Sequence, residues 1–220
     1  MSVDGQVSAD GAPTRGPRPG HREGWSDKQR QVFDAAIKVF SERGYRAASM
    51  RELGEAANLS KSALYHYFPS KEALLSQLYA RVIAESTALI QQIIDQGRDP
   101  ATTLREVLIQ RVDYTCLHQP MLRIFFEEEL ELPAEVNEQL YQERQAYEQV
   151  VLTLIETGMA QGYLRRTASA KIVANSLLGA VNWTYRWYNP QGALRPRELG
   201  EQIADLLLSG VLNGHQPLRP

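Results

Sequence analysis

Lys61, Ser62, Tyr65 and His66 stand at spacings of one, four and five in the run KSALYHY. On a helix these positions lie together on one side. Their chemistry is that of contact with a polyanion. A lysine neutralises a phosphate, and a tyrosine hydroxyl donates to one. Serine and histidine hydrogen-bond base edges or backbone oxygens. Leu64 and Phe68, four apart, point the other way. The segment therefore reads as a short helix with one wet and one dry face.

The flanking residues would position it. Ser60 is a natural N-cap, and Pro69 ends the helix. Upstream, Met50, Leu53 and Ala57 share a helical face. Ser49 and Glu52 form the Ser-x-x-Glu pattern of a capping box. Asn58 tolerates the left-handed backbone that a tight turn demands. Ser70 caps a third helix beginning Lys71-Glu72. Two short helices joined by a tight turn can lay the second in a DNA major groove. A helical hairpin with an ordinary polar surface satisfies the same pattern.

The run RELGEAANLSKSALYHYFPSKEAL closely resembles the DNA-binding signature of TetR-type transcriptional repressors. Leu64, Tyr65, Tyr67, Phe68, Lys71, Glu72 and Leu74 match it position by position. Gly54, Asn58 and Ser62 depart from its commonest residues. The resemblance covers about fifty residues once Asp27–Tyr45 is included. It implies DNA contacts from Ser49, Arg51, Ser60, Lys61, Ser62, Tyr65, His66 and Lys71. It also implies a homodimer on a palindromic double-stranded operator, whose half-sites would lie about 34–36 Å apart.

Composition sets outer bounds. The 220 residues allow a small reading module and a larger body, and the formal charge of −2 excludes a generally basic nucleic-acid binder. Residues 1–75 hold eleven Lys/Arg against nine Asp/Glu, a mildly basic reader beside an acidic remainder. The one cysteine, Cys116, excludes an intrachain disulfide and suits a reducing cytoplasm. It reads as a buried, inert thiol. No apolar run is long enough to cross a membrane. The four histidines (His21, His66, His118, His215) lack metal-ligand spacing. Neither a catalytic motif nor a cofactor-binding motif is present, so enzymatic chemistry is not expected.

The expected fold is all-α: a three-helix helix-turn-helix unit at 25–72, joined by a long helix to a ligand-binding and dimerisation domain at 73–215. Residues 1–24, rich in Gly and Pro, read as a disordered tail. Its Arg15, Arg18 and Arg22 could act as a minor-groove arm or simply be solvated. Asp27–Arg43 has an apolar stripe at Phe33, Ala36, Ile37 and Phe40. Ser70–Asp95 reads as one helix, closed by Gly97 and Pro100. Thr102–His118 carries Leu104, Val107, Leu108, Arg111, Val112 and Thr115 in register. Further helices are expected at 120–131, Ala134–Gln161, Ser169–Tyr188 and Arg197–Leu212, with a break at Leu132-Pro133.

The body offers a second cluster. Arg186 lies among Trp183, Tyr185, Trp187 and Tyr188. A guanidinium held against aromatic rings offers a planar fork to a carboxylate or phosphate. Tyr114, Met121, Phe125, Phe126 and Tyr147 could supply an apolar cavity beside it. Equally, Arg186 could pair with the acidic run Glu127–Glu131 and only tie two helices together. The run Trp-x-x-Arg-Trp-Tyr-x-Pro-x-Gly resembles the C-terminal half of TetR-type repressors of lipid, steroid or aromatic-acid degradation. Several of those respond to acyl-CoA thioesters, so the resemblance implies a small-molecule inducer of that kind. A drug-responsive efflux regulator and a protein-binding module without DNA affinity are the alternatives. Ile172, Leu177, Leu178 and Val181, with Ile203, Leu206, Leu207 and Val211, are the candidate dimer face.

Overall fold

The computed structural model describes residues 26–127 and 134–212, except the side chains of residues 134–137, 139, 140 and 143. The tail and the Leu132-Pro133 break lie outside the described residues. Those described form helices α1–α10 and no strand; Leu164 and Leu212 make one isolated bridge.

Helices α1 (Asp27–Arg43), α2 (Met50–Ala56) and α3 (Lys61–Tyr67) form the reader. Capping sets each start. Ser26 and Gln29 make a reciprocal box on α1, and Ser49 and Glu52 make one on α2. The Ser60 hydroxyl accepts from the Ala63 amide at the head of α3. Between α2 and α3, Asn58 adopts φ 50°, and the Leu59 amide reaches back to the Gly54 carbonyl. A Cβ on Gly54 would stand 3.3 Å from the Leu59 carbonyl oxygen, so glycine suits this close turn. Val32, Phe33, Ala36, Phe40, Leu53, Leu64 and Phe68 fill the space between the helices. Phe33 meets Phe68 edge-on at 5.2 Å.

α4 (Lys71–Ile94) runs out of the reader for about 36 Å at 1.5 Å per residue. α5 (Pro100–Leu117) is the central helix of the body, touching α4, α7, α8 and α10. Pro100 does not close α4; it opens α5 at its first turn, where its missing N–H costs nothing, with Asp99 as cap. α6 (Gln119–Glu127) packs against both α1 and the later helices. α7 (Ala134–Ala160) ends before Gly162, which takes φ 81°.

The expected helix over Ser169–Tyr188 divides. α8 (Ala170–Asn182) stops at Trp183, and α9 (Thr184–Trp187) is a single further turn. The buried Thr184 hydroxyl donates to the Val181 carbonyl at 2.6 Å, and the Arg186 amide closes a tight turn on the Trp183 carbonyl. α10 (Pro196–Leu208) ends four residues short of expectation, where Leu212 turns to meet Leu164.

α10 lies unusually close to α5. A Cβ on Gly200 would fall 2.8 Å from the Ile109 carbonyl oxygen. Arg105 holds Asp205 through two bonds of 2.7 and 3.1 Å, and Arg197 meets Glu106 at 2.9 Å. Gly200→Ala must push backbone from backbone, so urea denaturation should show a loss of about 1–3 kcal/mol. An unchanged midpoint would mean that α10 is not seated in this way.

Candidate functional site

The outer face of α3 carries Lys61, Ser62, Tyr65 and His66, all exposed, with Tyr65 at 42%. Beneath them, Leu64 and Phe68 are fully buried. Lys61 makes no ion pair among the described residues and lies 5.9 Å over the Tyr65 ring. This face meets the requirement for groove contact: an unneutralised cation and free donors on a helix anchored from behind.

The remaining expected contacts divide by what they already hold. The Ser49 hydroxyl is engaged with Glu52, accepting from its amide and donating to its carboxylate at 2.8 Å. Ser60 accepts from Ala63 and keeps its own O–H to donate. Arg51 is exposed and paired with Glu55 at 2.8 Å, a contact weak enough to exchange for phosphate. Lys71 already holds partners within the reader. Its ammonium donates to the carbonyls of Tyr45, Ala48 and Arg46 at 2.8, 3.0 and 3.3 Å, and lies 4.4 Å over the Tyr45 ring. An ammonium has three donors, and three carbonyls of the α1–α2 connection take them. Lys71 thus holds the reader's shape from inside.

In the body the expected ligand cluster separates into two groups. Trp183 and Trp187 are 55% and 52% exposed, on the surface, and the break at Trp183 takes them off a common helix. Arg186 lies 5.5 Å over the Trp183 ring and donates to Glu127 at 2.8 Å. Of the two roles open to it, the geometry is that of a tie between α9 and α6. Phe126 stacks on Tyr185 at 5.0 Å, and Gln119 donates to the carbonyls of Tyr185 and Tyr188, completing that joint.

Tyr114, Met121, Phe125 and Tyr147 belong to the buried core. Phe125 packs edge-on against Tyr79, whose hydroxyl donates to the Ile124 carbonyl at 2.9 Å. Tyr114 and Tyr147 flank a residue that the sequence placed only in register, Arg111, which is 5% exposed. Arg111 donates to Asn182 Oδ1 at 2.7 Å and Ser86 Oγ at 2.8 Å. The hydroxyls of Tyr147 and Thr115 are buried without a partner among the described residues. Tyr114 donates to Glu85 at 2.9 Å; burial, then that carboxylate, raises its phenol above the ordinary range. Burial raises Tyr147 too. Cys116 is buried and its thiol is pushed up to about 12, chiefly by loss of water, so it stays protonated and inert. An arginine inside an apolar register is the sequence signal that points to this centre. An open groove of about 850 Å³ lies elsewhere, between the α4–α5 connection and α7, with Ile94, Pro100, Val150, Leu154 and Tyr163 in its wall. No cluster of metal-binding side chains occurs among the described residues. No helix among them is long and apolar enough to cross a membrane.

The two roles open to Lys71 separate experimentally. Lys71→Met should lower stability by about 1 kcal/mol and weaken duplex binding, yet leave the dependence of affinity on salt unchanged. A direct phosphate contact would instead reduce the slope of log affinity on log salt by about 0.9.

Comparison with known proteins agrees with this architecture. Residues 32–78 match the family model described as bacterial regulatory proteins, tetR family. Residues 97–211 match the model described as tetracyclin repressor-like, C-terminal domain. The HTH-type transcriptional repressor KstR2 of Mycobacterium tuberculosis is 22% identical over 187 residues, covering 84% of this chain and 94% of the relative. Its structure superposes with a TM-score of 0.78 over 86% of this chain and 97% of that one. PfmR of Thermus thermophilus, a TetR family regulator, gives 0.75 at 28% identity, over 81% of this chain and 97% of that one. AibR, solved in complex with isovaleryl coenzyme A and operator DNA, gives 0.72 at 24% identity, over 83% and 97%. With its reader and body both matched, this chain belongs to the TetR family of bacterial regulatory proteins, as a DNA-binding regulator of transcription.

Proposed function

We propose that this protein is a repressor that binds its operator as a two-fold dimer and leaves it when the body takes up a largely apolar ligand bearing an anionic or carbonyl group. An acyl coenzyme A thioester is the form that the likeness to AibR favours. The observation that carries the DNA half is the outer face of α3, with Lys61, Ser62, Tyr65 and His66 exposed over a fully buried Leu64. Ser60 and Arg51 extend that contact.

The dimer would form on α8 and α10. Leu177, Leu178 and Val181, expected at the pair interface, face their own protomer's core, as does half of α10. What α8 leaves outside is a stripe at Ile172, Ser176, Gly179, Ala180 and Trp183, spaced by three and four. Small residues in its middle allow close helix approach; a Cβ on Gly179 would meet nothing within 4 Å. Leu206, 73% exposed, supplies the matching apolar surface on α10. Trp187 and the Arg186–Glu127 tie lie at the rim of that face.

Release is a shift between two spacings of the readers. α6 is the connection: it packs on α1 in the reader, is pinned by Tyr79, and is joined to α9 by Gln119, Phe126 and Glu127. A ligand preferring the wrong spacing by about 5.5 kcal/mol would move a 99:1 mixture to 1:99.

In fluorescence anisotropy on an operator duplex, Lys61→Ala should weaken binding about tenfold or more and lower the salt slope by about 0.9. Tyr65→Phe should weaken it less, without changing the slope by more than a fraction. Unchanged affinity in both would refute the assignment. In analytical ultracentrifugation, Ile172→Glu should convert the dimer to a helical monomer that no longer holds the operator. A dimer that survives the charge would place the pairing face elsewhere.

A further inference from the structure

The centre around Arg111 is a poor device for stability. Arg111 is almost wholly buried, and both its hydrogen-bond partners, Asn182 and Ser86, are neutral. A guanidinium has five N–H donors, and these two bonds leave the rest without a protein acceptor among the described residues. No carboxylate there lies within ion-pair distance of it. Glu85, which Tyr114 links to this centre, is already held by Arg81 at 2.6 Å. Two hydroxyls add to the deficit: Tyr147 on α7 and Thr115, one turn from Arg111 on α5, are buried with no partner among the described residues. Buried polar groups are normally satisfied. A buried charge with neutral partners is costlier still, and apolar replacement of such groups is often neutral or stabilising. Elements α4, α5, α7 and α8 thus bring together a cation and two hydroxyls that lack an anion or a strong acceptor among the described residues.

Resting on the ligand-released reading above, we infer that this centre receives the acyl head of the ligand: the two oxygens of a carboxylate, or the carbonyl oxygen of the thioester made from it. The guanidinium fork matches a planar acyl group, and the Tyr147 and Thr115 hydroxyls donate to the same oxygens. A phosphate dianion is disfavoured here, because one buried cation would leave it with uncompensated charge. The chain that the acyl head carries is hydrocarbon, since Arg111 is embedded in the apolar core that includes Val112, Val151 and Val181. The same contact reports outward. Asn182 is the last residue of α8, next to Trp183 on the proposed pairing stripe. A ligand that draws Arg111 from Asn182 loosens the end of α8 where the second copy would seat.

The test uses the full chain, with octanoate and octanoyl coenzyme A as probes and sodium chloride at matched ionic strength as the control. Binding is read by calorimetry and by Tm. One or both probes should raise Tm by about 5 °C or more at roughly a hundred times Kd. Octanoate acting alone assigns the head to a carboxylate, and octanoyl coenzyme A acting alone assigns it to the thioester carbonyl. Arg111→Met should abolish the shift, Tyr147→Phe should weaken binding about tenfold, and Arg111→Lys should restore part of it. Without probe, Arg111→Met should melt no lower than the wild type. The proposal is overturned if neither probe exceeds chloride, if Arg111→Met or Tyr147→Phe binds as tightly as the wild type, or if Arg111→Met melts several degrees lower unliganded, which makes Arg111 a structural tie. Operator binding in the same samples separates the two readings. A probe that binds through Arg111 without releasing DNA leaves the site standing and sinks the inducer role.

Discussion

A helix of seven residues has too few internal hydrogen bonds to hold itself together in water, and α3 is such a helix. Everything the protein does with DNA depends on the groups that keep these two turns folded with the correct side outward. Leu64 and Phe68, both fully buried, anchor it from behind. At about 1.5–3 kcal/mol each, they outweigh the Ser60 cap, which contributes about 1 kcal/mol. Asn58 sets the angle of entry through its left-handed backbone. Lys71 holds the distant end of the reader by gathering three carbonyls of the α1–α2 connection. The polar residues of α3 can then be chosen for what they touch, because none of them is needed for folding.

The body reverses this arrangement. Its central helix α5 is buried along most of its length, and apolar packing is abundant there. What it contains beyond need is polar: Arg111, Thr115 and Tyr147 in the interior, with Ser86 and Asn182 in support. The reader keeps its polar groups on the surface and the body keeps a set inside. α6 touches both parts, packing on α1 in the reader and on α5 and α9 in the body.

The reader is legible almost residue by residue. Its signals are local: caps, a turn residue and apolar spacing within one helix, and each reports on neighbours a few positions away. Ser49, Asn58, Ser60 and Leu64 take the places expected of them. The bonds of Lys71 are not legible in this way, because its partners lie 23 to 26 residues upstream, while its charge alone suggests exposure. The body is legible as helices but not as a site. At the break at Trp183 the Thr184 hydroxyl donates to the Val181 carbonyl, a choice of partner that spacing does not announce. Sequence spacing places Trp183 and Trp187 on one helix face, and that inference fails once the helix divides. Arg111 passes as one more residue in register, since nothing nearby in sequence announces that its partners on α4 and α8 are neutral.

The central claim is that α3 enters the major groove twice, once from each half of a symmetric pair. Methylation protection on an operator duplex tests it most directly, because dimethyl sulfate attacks guanine N7 in that groove. The account predicts two protected patches on one face of the duplex, centred about 10 base pairs or a multiple of that apart, both needing about tenfold or more additional protein when Lys61 is changed to Ala. A single patch, or full reactivity of every guanine at saturating protein, would contradict it.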